Sequence, residues 1–484
     1  MNQQNDSNKN DNTNTTMSNL STIDMPHWQH LHPETLFSIW ANDNWAFWLD
    51  SGESDHVDSN YDILVFSPVA TLKTSNKSTR INYLTEDKVE VSAEDPLKLL
   101  QQVQNRVFPK PFSNQSKMPF IGGAVGYFSY DLGRRFEQLP ATSLLDITLP
   151  DMAVGIYKQA IIYNRKTSSY TLVCHDNNIE QLAEHIDSLI ADFEEQPDSF
   201  TLNCDWRSNM SKQQYAEKFA KVKQYLTAGD CYQINLAQRF SALYQGSEFD
   251  AYKRLRASNK APFSAFMRIE EGAILSVSPE RFLQLKNRKV QSKPIKGTRP
   301  RSAIKEFDKE HADELQNSPK DRAENLMIVD LLRNDISKVC RPGSVNVPSL
   351  FEIESFPAVH HLVSTVEGML SQEFDGTDLL RGAFPGGSIT GAPKIRAMEI
   401  IEELEPHRRS VYCGSIGYIS ACGKMDSSIT IRTLVCEQER VHCWAGGGLV
   451  ADSQLDSEYQ ETFDKVNKIL PVLQNTPNNT KAMD

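Results

Sequence analysis

The sequence predicts an α+β protein. Alternating apolar runs of strand type dominate the first half, and longer strand runs broken by helices fill the second, without strict β-α alternation. Hydrophobic residues make up 39% and charged residues 24% of the 484 positions, which is enough apolar side chain for a sizeable core.

Residues 1–22 are rich in Asn, Ser, Thr and Asp and offer little to bury, so a disordered tail is expected there. The first region, 23–200, carries strand signals at WAFWLDS (45–51), YDILVFSP (61–68) and GIYKQAIIYN (155–164), and helices over 95–107 and 178–194. A polar passage at 195–208 separates it from a second region, 209–472. There Ser211 and Gln214 form a capping box, and Tyr215, Phe219, Val222 and Leu226 share one helical face up to Gly229. Strands are expected at 231–241, 263–269, 273–278 and 281–286. Ser318 and Pro319 open a helix that reaches Leu332, and Pro393 opens another that stops before Pro406. Strands at 410–420, 426–436 and 440–446 precede a closing helix over 456–470. Residues 473–484 resemble the first tail in composition and are expected to be disordered.

The chain has 51 Lys+Arg against 63 Asp+Glu, a formal charge of −12 that argues against a nucleic-acid partner. An anionic small molecule is still allowed, because a buried site can be locally positive. No apolar run of about 18 residues occurs, so no membrane span is expected. The N-terminus lacks the apolar stretch of a secretory signal, and the eight cysteines are irregularly spaced with no C-x-x-C. A cytoplasmic protein with reduced thiols is expected.

Several residues could carry chemistry. Glu458 and Glu461 are three apart on the closing helix with Lys465 one turn on, so the two carboxylates are either solvated or bridged by a cation. Gly446, Gly447 and Gly448 end the preceding strand, where they either admit a ligand to backbone N–H groups or make a tight connection. Glu324 lies beside the apolar face of the Ser318 helix, and oxygen donors of this kind hold Mg²⁺. Glu280, after the strand AILSVS and beside Pro279, is either a buried acid of raised pKa or the partner of Arg281. Lys296 is a nucleophile if its pKa is depressed; otherwise it belongs to an anion-binding loop with Lys293, Arg299 and Arg301.

PGGSITGAPK (385–394) is a glycine-rich loop entering a helix, with Lys394 in the first turn, where free N–H groups favour anions. Arg432 alternates with Ile429 and Ile431 in SITIRTLV and should point away from the apolar face. His361, in AVHHLVSTVEG, either orients a substrate group or is structural.

Taken together, GDCYQINLAQRF, SPERFL, PIKGTRPR, DRAENLMIVDLLRND, HHLVSTVEG, FPGGSITGAPKIRAMEIIEELEP, YCGSIGYIS, MDSSITIRTLV and WAGGGLVADSQLDSEYQETFDK resemble the chorismate-utilising enzymes. They run over about 229–465 in the family's order, and WAFWLDS is similar to its N-terminal signature. The resemblance implies two face-packed antiparallel sheets with helices outside, both halves intertwined and the active site between the sheets. It implies Mg²⁺ on Glu324, Glu461 and Glu458, gripping the ring carboxylate of chorismate with help from the 446–448 glycines. Tyr412 and Arg432 match the pair that holds the enolpyruvyl carboxylate, and His361 and Thr390 match positions lining the site.

Lysine inside PI-x-GT marks the members that aminate chorismate at C4, in the para-aminobenzoate branch of folate synthesis. Members that aminate at C2, as anthranilate synthase component I does, carry alanine; this is the alternative reading. Lys296 then attacks C2 while Glu280 protonates the departing 4-hydroxyl. The chain has no G-x-C-x-G elbow, so a separate glutamine amidotransferase subunit is the expected source of ammonia. Tryptophan is a further ligand the resemblance implies, with Ser51 matching part of its signature and Asp50 standing where the regulated pattern has glutamate.

Overall fold

The computed structural model describes residues 20–54, 56–109, 112, 117–176, 178–355 and 359–474. The expected tails therefore lie outside the described residues except at their inner ends. Ser21–Asp24 is a strand paired with Ser169–Cys174, and Leu470–Gln474 is a short helix.

The 25 strands of the described residues form two antiparallel sheets of 13 and 12. Each sheet takes five strands from before residue 200 and the rest from after it. In the larger sheet the join is Phe47–Asp50 against Phe263–Ile269, with Trp48 opposite Phe266. In the smaller one it is Gly123–Phe128 against Ser415–Ser420, with Gly126 opposite Gly417. Both glycines are needed there: a Cβ on Gly126 would stand 2.2 Å from Ala153 O, and one on Gly417 2.4 Å from Asp426 O.

The sheets pack face to face through one apolar cluster. Phe47, Ile274, Val435 and Trp444 of the larger sheet meet Val125, Val154, Leu283 and Ile416 of the smaller one. Helices cover the outer faces, as an apolar sheet face requires. Helix Lys212–Ala228 begins at the expected capping box and ends at Gly229 in the left-handed conformation. It packs Tyr215, Phe219 and Val222 with Ala397, Ile400 and Ile401 of helix Lys394–Leu404. Helices Pro96–Val107 and Ile179–Asp192 lie within a residue or two of expectation.

Two expected strands are each two strands, and the reason is topological. The 155–164 run divides into Met152–Tyr157 in the smaller sheet and Gln159–Asn164 in the larger, with Lys158 between them. The 426–436 run divides into Met425–Ile429 in the smaller sheet and Thr433–Glu437 in the larger. The same passage between sheets occurs at Pro279–Glu280, between Gly272–Ser278 and Arg281–Lys286. A period of two runs straight through such a corner, because both sheets bury the same kind of residue.

The expected strand at 410–420 begins only at Ser415, and the expected helix over 456–470 is Leu455–Asp464 followed by turns. Strand Arg440–Leu449 runs through all three glycines, so they lie within the strand and do not end it.

Candidate active site

Two sheet-crossing corners lie side by side. Ile429 N–H donates to Glu280 O at 3.0 Å, Ser278 Oγ donates to Ile429 O at 2.6 Å, and Val277 N–H donates to Arg432 O at 3.1 Å. A cavity of about 680 Å³ opens beside them, lined among others by Glu280, Lys296, Glu324, His361, Tyr412, Arg432, Glu458 and Glu461. Residues scattered over nearly 200 positions converge because strand Ile295–Pro300, helix Pro319–Ser337 and helix Leu455–Asp464 all end their polar faces on this opening.

Glu280 is 7% exposed, and burial raises its pKa to about 7 despite the opposing cations Lys296, Lys465 and Arg432. Ser388 Oγ donates to its Oε1 at 3.3 Å. Arg281 turns away from it to Asp426 and Asp58, so the alternative of a neighbouring salt bridge is not realised. Loss of water lowers the pKa of Lys296, while the Glu324 charge works in the opposite direction. Among the described residues no hydrogen bond or ion pair holds its amine. That leaves a half-buried amine and a buried acid facing one space, each moved toward neutrality.

Arg432 does not sit on a strand as expected. It occupies the corner at φ 51°, where the chain leaves one sheet for the other, and the cavity receives it. Burial lowers its pKa, with Glu280 the opposing charge, and no carboxylate pairs with it among the described residues. Tyr412 stacks on Trp444 with centroids 6.1 Å apart and planes 6° apart, and both line the cavity. Behind Tyr412, Arg409 is fully buried against Glu405 and donates to Ile389 O at 2.8 Å. His361 is neutral, its pKa lowered to about 4 by burial and then by Arg432, and its Nδ1 lies 2.9 Å from Thr298 Oγ1.

Glu324 and Glu458 have raised pKa values, burial being the main cause. Glu461 is lowered: burial pushes it up, but Lys465, Lys296 and Lys320 together pull it down. Ser453 Oγ donates to Glu458 Oε1 at 2.7 Å. Lys320 Nζ lies 4.0 Å from both Glu324 and Glu458, and Lys465 Nζ lies 2.6 Å from Glu461. Lys320 lies between Glu324 and Glu458, and no chelating cluster of three His, Cys, Asp or Glu side chains is already closed among the described residues. By donor chemistry the set suits a hard divalent cation, since every candidate ligand is a carboxylate oxygen. A Cβ on Gly447 would stand 3.3 Å from Glu461 Oε1 and 3.5 Å from Glu458 Oε2, so its missing side chain leaves room for both. Gly446 and Gly448 line the cavity itself.

Two expected site residues lie elsewhere. Lys394 is drawn away by a closer anion: its Nζ pairs with Asp335 at 2.6 Å and donates to Ala383 O at 2.9 Å. Thr390 is fully buried, and its hydroxyl donates to Gly386 O and Gly387 O, bracing the loop from within. The hydroxyl that this loop presents to the cavity is that of Ser388, two residues earlier. Sequence reasoning also missed Asn235, Lys320 and Trp444 as lining residues. The only signal for Ser388 was its place in a glycine-rich loop.

Ser51 lies in a second, smaller cavity of about 340 Å³, at the join between the two regions. Its hydroxyl is already engaged with Tyr61 O at 2.5 Å and Asp62 at 2.8 Å.

The profile of a family described as chorismate binding enzyme matches residues 44–471. The chain belongs to that family. Aminodeoxychorismate synthase component 1 of Escherichia coli (strain K12) is 54% identical over 447 residues, covering 92% of this chain and 97% of that protein. Anthranilate synthase component 1 of Aquifex aeolicus (strain VF5) is 35% identical, covering 79% and 80%. Among solved structures, anthranilate synthase component I of Streptococcus pneumoniae TIGR4 is 32% identical, with a TM-score of 0.75 over 86% of this chain and 93% of that one. The fold of two antiparallel sheets with helices thus matches that of a solved chorismate-utilising enzyme.

Proposed function

We propose that this chorismate-binding enzyme is the synthase subunit of an aminodeoxychorismate synthase, converting chorismate and ammonia to 4-amino-4-deoxychorismate. The observation that carries this reading is the pairing of Lys296 and Glu280 in one cavity, a half-buried amine of lowered pKa facing a buried acid of raised pKa. The 54% identity to the Escherichia coli relative supports it, since the anthranilate synthase relatives are more distant.

Hydroxide is a poor leaving group, so displacement of the 4-hydroxyl needs a proton at the moment the C–O bond breaks. Lys296 attacks C2 as the free amine, the ring double bond shifts, and Glu280 gives its proton so that the hydroxyl departs as water. Ammonia then forms a bond to C4, the double bond returns, Lys296 leaves as a neutral amine, and the Glu280 carboxylate takes up the surplus proton. Arg432 and Tyr412 hold the enolpyruvyl carboxylate, and neutral His361 with Thr298 fixes the ring without adding charge. Glu324, Glu458 and Glu461 are the residues that would hold Mg²⁺, which when bound offsets the charge of the ring carboxylate.

The relatives' designation as component 1 supports a partner subunit, and a glutamine amidotransferase is the partner that supplies ammonia. No helix among the described residues is long and apolar enough to cross a membrane, and we place the enzyme in the cytoplasm. The cavity beside Ser51 is the place for a tryptophan ligand.

Product identification from chorismate, ammonium and Mg²⁺ tests the reading, with 4-amino-4-deoxychorismate expected. Fluorescent anthranilate as the product would overturn it. Intact-mass spectra without ammonia should show a covalent adduct that Lys296→Ala lacks; an adduct persisting in that variant would refute the role of Lys296.

A further inference from the structure

The loop after Phe384 brings one hydroxyl into the cavity. Ser388 is partly buried, lines the opening, and donates to Glu280 Oε1 at 3.3 Å. Among the described residues, no other side-chain donor bonds to this carboxyl. Its ionisable neighbours make no hydrogen bond to it: Lys296 from the strand Ile295–Pro300, Lys465 from the turn after the last long helix, Arg432 from the adjoining corner, and the buried thiol of Cys413. The loop itself is fixed from behind, by Thr390 Oγ1 on Gly386 O and Gly387 O and by Arg409 Nη1 on Ile389 O.

A carboxylic acid donates a proton from one oxygen and accepts hydrogen bonds at the other. A hydroxyl that donates to Oε1 makes Oε1 the carbonyl-like oxygen and leaves Oε2 to carry the proton. We infer that Ser388 is a positioning residue for the general acid: it pins Oε1 of Glu280 and thereby presents the Oε2 proton to the departing 4-hydroxyl. The inference rests on Glu280 being that acid.

Ser388 also sets the pH range over which the acid stays protonated. A donor to Oε1 stabilises the ionised form more than the neutral one, so it lowers the Glu280 pKa against the larger effect of burial. Removing it raises that pKa. Since the acid acts in its protonated form, the basic limb of the rate profile moves to higher pH when the hydroxyl is lost.

The test measures kcat and KM for chorismate with saturating ammonium across pH 6–9, in wild type, Ser388→Ala, Ser388→Thr and Glu280→Gln. In Ser388→Ala, kcat should fall about tenfold near neutral pH, the scale of one hydrogen bond to a charged group. KM should stay within about twofold, and the basic limb should move upward. Ser388→Thr should restore both the rate and the limb. A basic limb unmoved in Ser388→Ala, or no rescue by threonine, would overturn the inference even if the rate falls. Full activity in Glu280→Gln would instead overturn the general-acid reading on which it stands, so the two failures are distinguishable.

Discussion

The larger cavity at the sheet-crossing corners and the smaller cavity beside Ser51 gather the same residue types and treat some of their charges differently. In the smaller one the buried charges, Asp50 and Arg281, are matched. Arg281 is clamped by Asp426 at 2.9 and 3.0 Å and by Asp58 at 2.9 Å. Asp50 receives Arg165 at 2.9 Å, Arg256 at 2.6 Å, Tyr252 at 2.9 Å and the Gly52 N–H at 2.8 Å. In the larger cavity the Lys296 and Arg432 side chains have no partner among the described residues, and the Glu280 carboxyl has a single long hydrogen bond there. Burying an unpaired charge is costly, so a chain keeps one only where chemistry requires it. The difference separates architecture from catalysis without appeal to residue type.

Experiments on both cavities can break or sharpen that contrast. Chelation with EDTA should stop chorismate consumption and leave the melting temperature unmoved, because Lys320 and Lys465 already neutralise the carboxylates in the free protein. A large fall in melting temperature would show that a cation is structural here. Glu280→Gln should reduce turnover by about 10²–10⁴-fold, the usual contribution of a general acid. In wild type, kcat/KM should fall with rising pH above about 7, where Glu280 loses its proton, and fall below the lowered pKa of Lys296 at the acidic side.

The same substitution has a sign for stability. Between 4.5 and about 7 the folded state holds a proton on Glu280 that the unfolded state has lost, so wild-type stability falls as pH rises through that window. Gln, always neutral, should therefore melt higher than wild type at pH 8, with a smaller gain at pH 4.5. Equal gains at both values would mean that Glu280 is not protonated in the folded protein near neutrality.

Asp50→Ala should cost about 3–5 kcal/mol in urea unfolding, since it leaves Arg165 and Arg256 without a shared anion. Turnover per folded molecule should change by less than about twofold, the contrast with Glu280→Gln. Gly447→Ala should have the smallest effect, a loss of Mg²⁺ affinity of a few-fold by calorimetry, because its Cβ would crowd Glu461 and Glu458 at 3.3 and 3.5 Å. An unchanged affinity would place the cation away from that pair.

Helices with caps were legible in the sequence, because the capping box at Ser211 and the proline at 319 are local chemistry. The α+β class was legible too, from two periods interleaved without alternation. Corners were not. Apolar alternation continues through Lys158 and through 430–432, and nothing local tells which sheet receives the next residue. That same blindness put Arg432 on a strand. Lys394 and Thr390 failed for another reason: a glycine-rich loop before a helix reads alike whether its polar groups face a ligand or an internal carboxylate such as Asp335. Glu280, Lys296 and the three helix carboxylates were legible as a set through the resemblance of whole segments, since no one of them is distinctive alone.

The paired corners also set an order of events for a chain made from its N-terminus. Glu280 leaves the ribosome about 150 residues before Arg432, and Lys296 about as far ahead of Glu458 and Glu461. Strand Gly272–Ser278 must wait for Thr433–Glu437, and Arg281–Lys286 for Met425–Ile429, before either has its second neighbour. A nascent chain therefore carries two open sheet edges while about 150 further residues are made, edges that favour stray pairing. The acid and the arginine that faces it come into being in one late closure, so a prematurely ended chain has neither a finished sheet nor a partial activity.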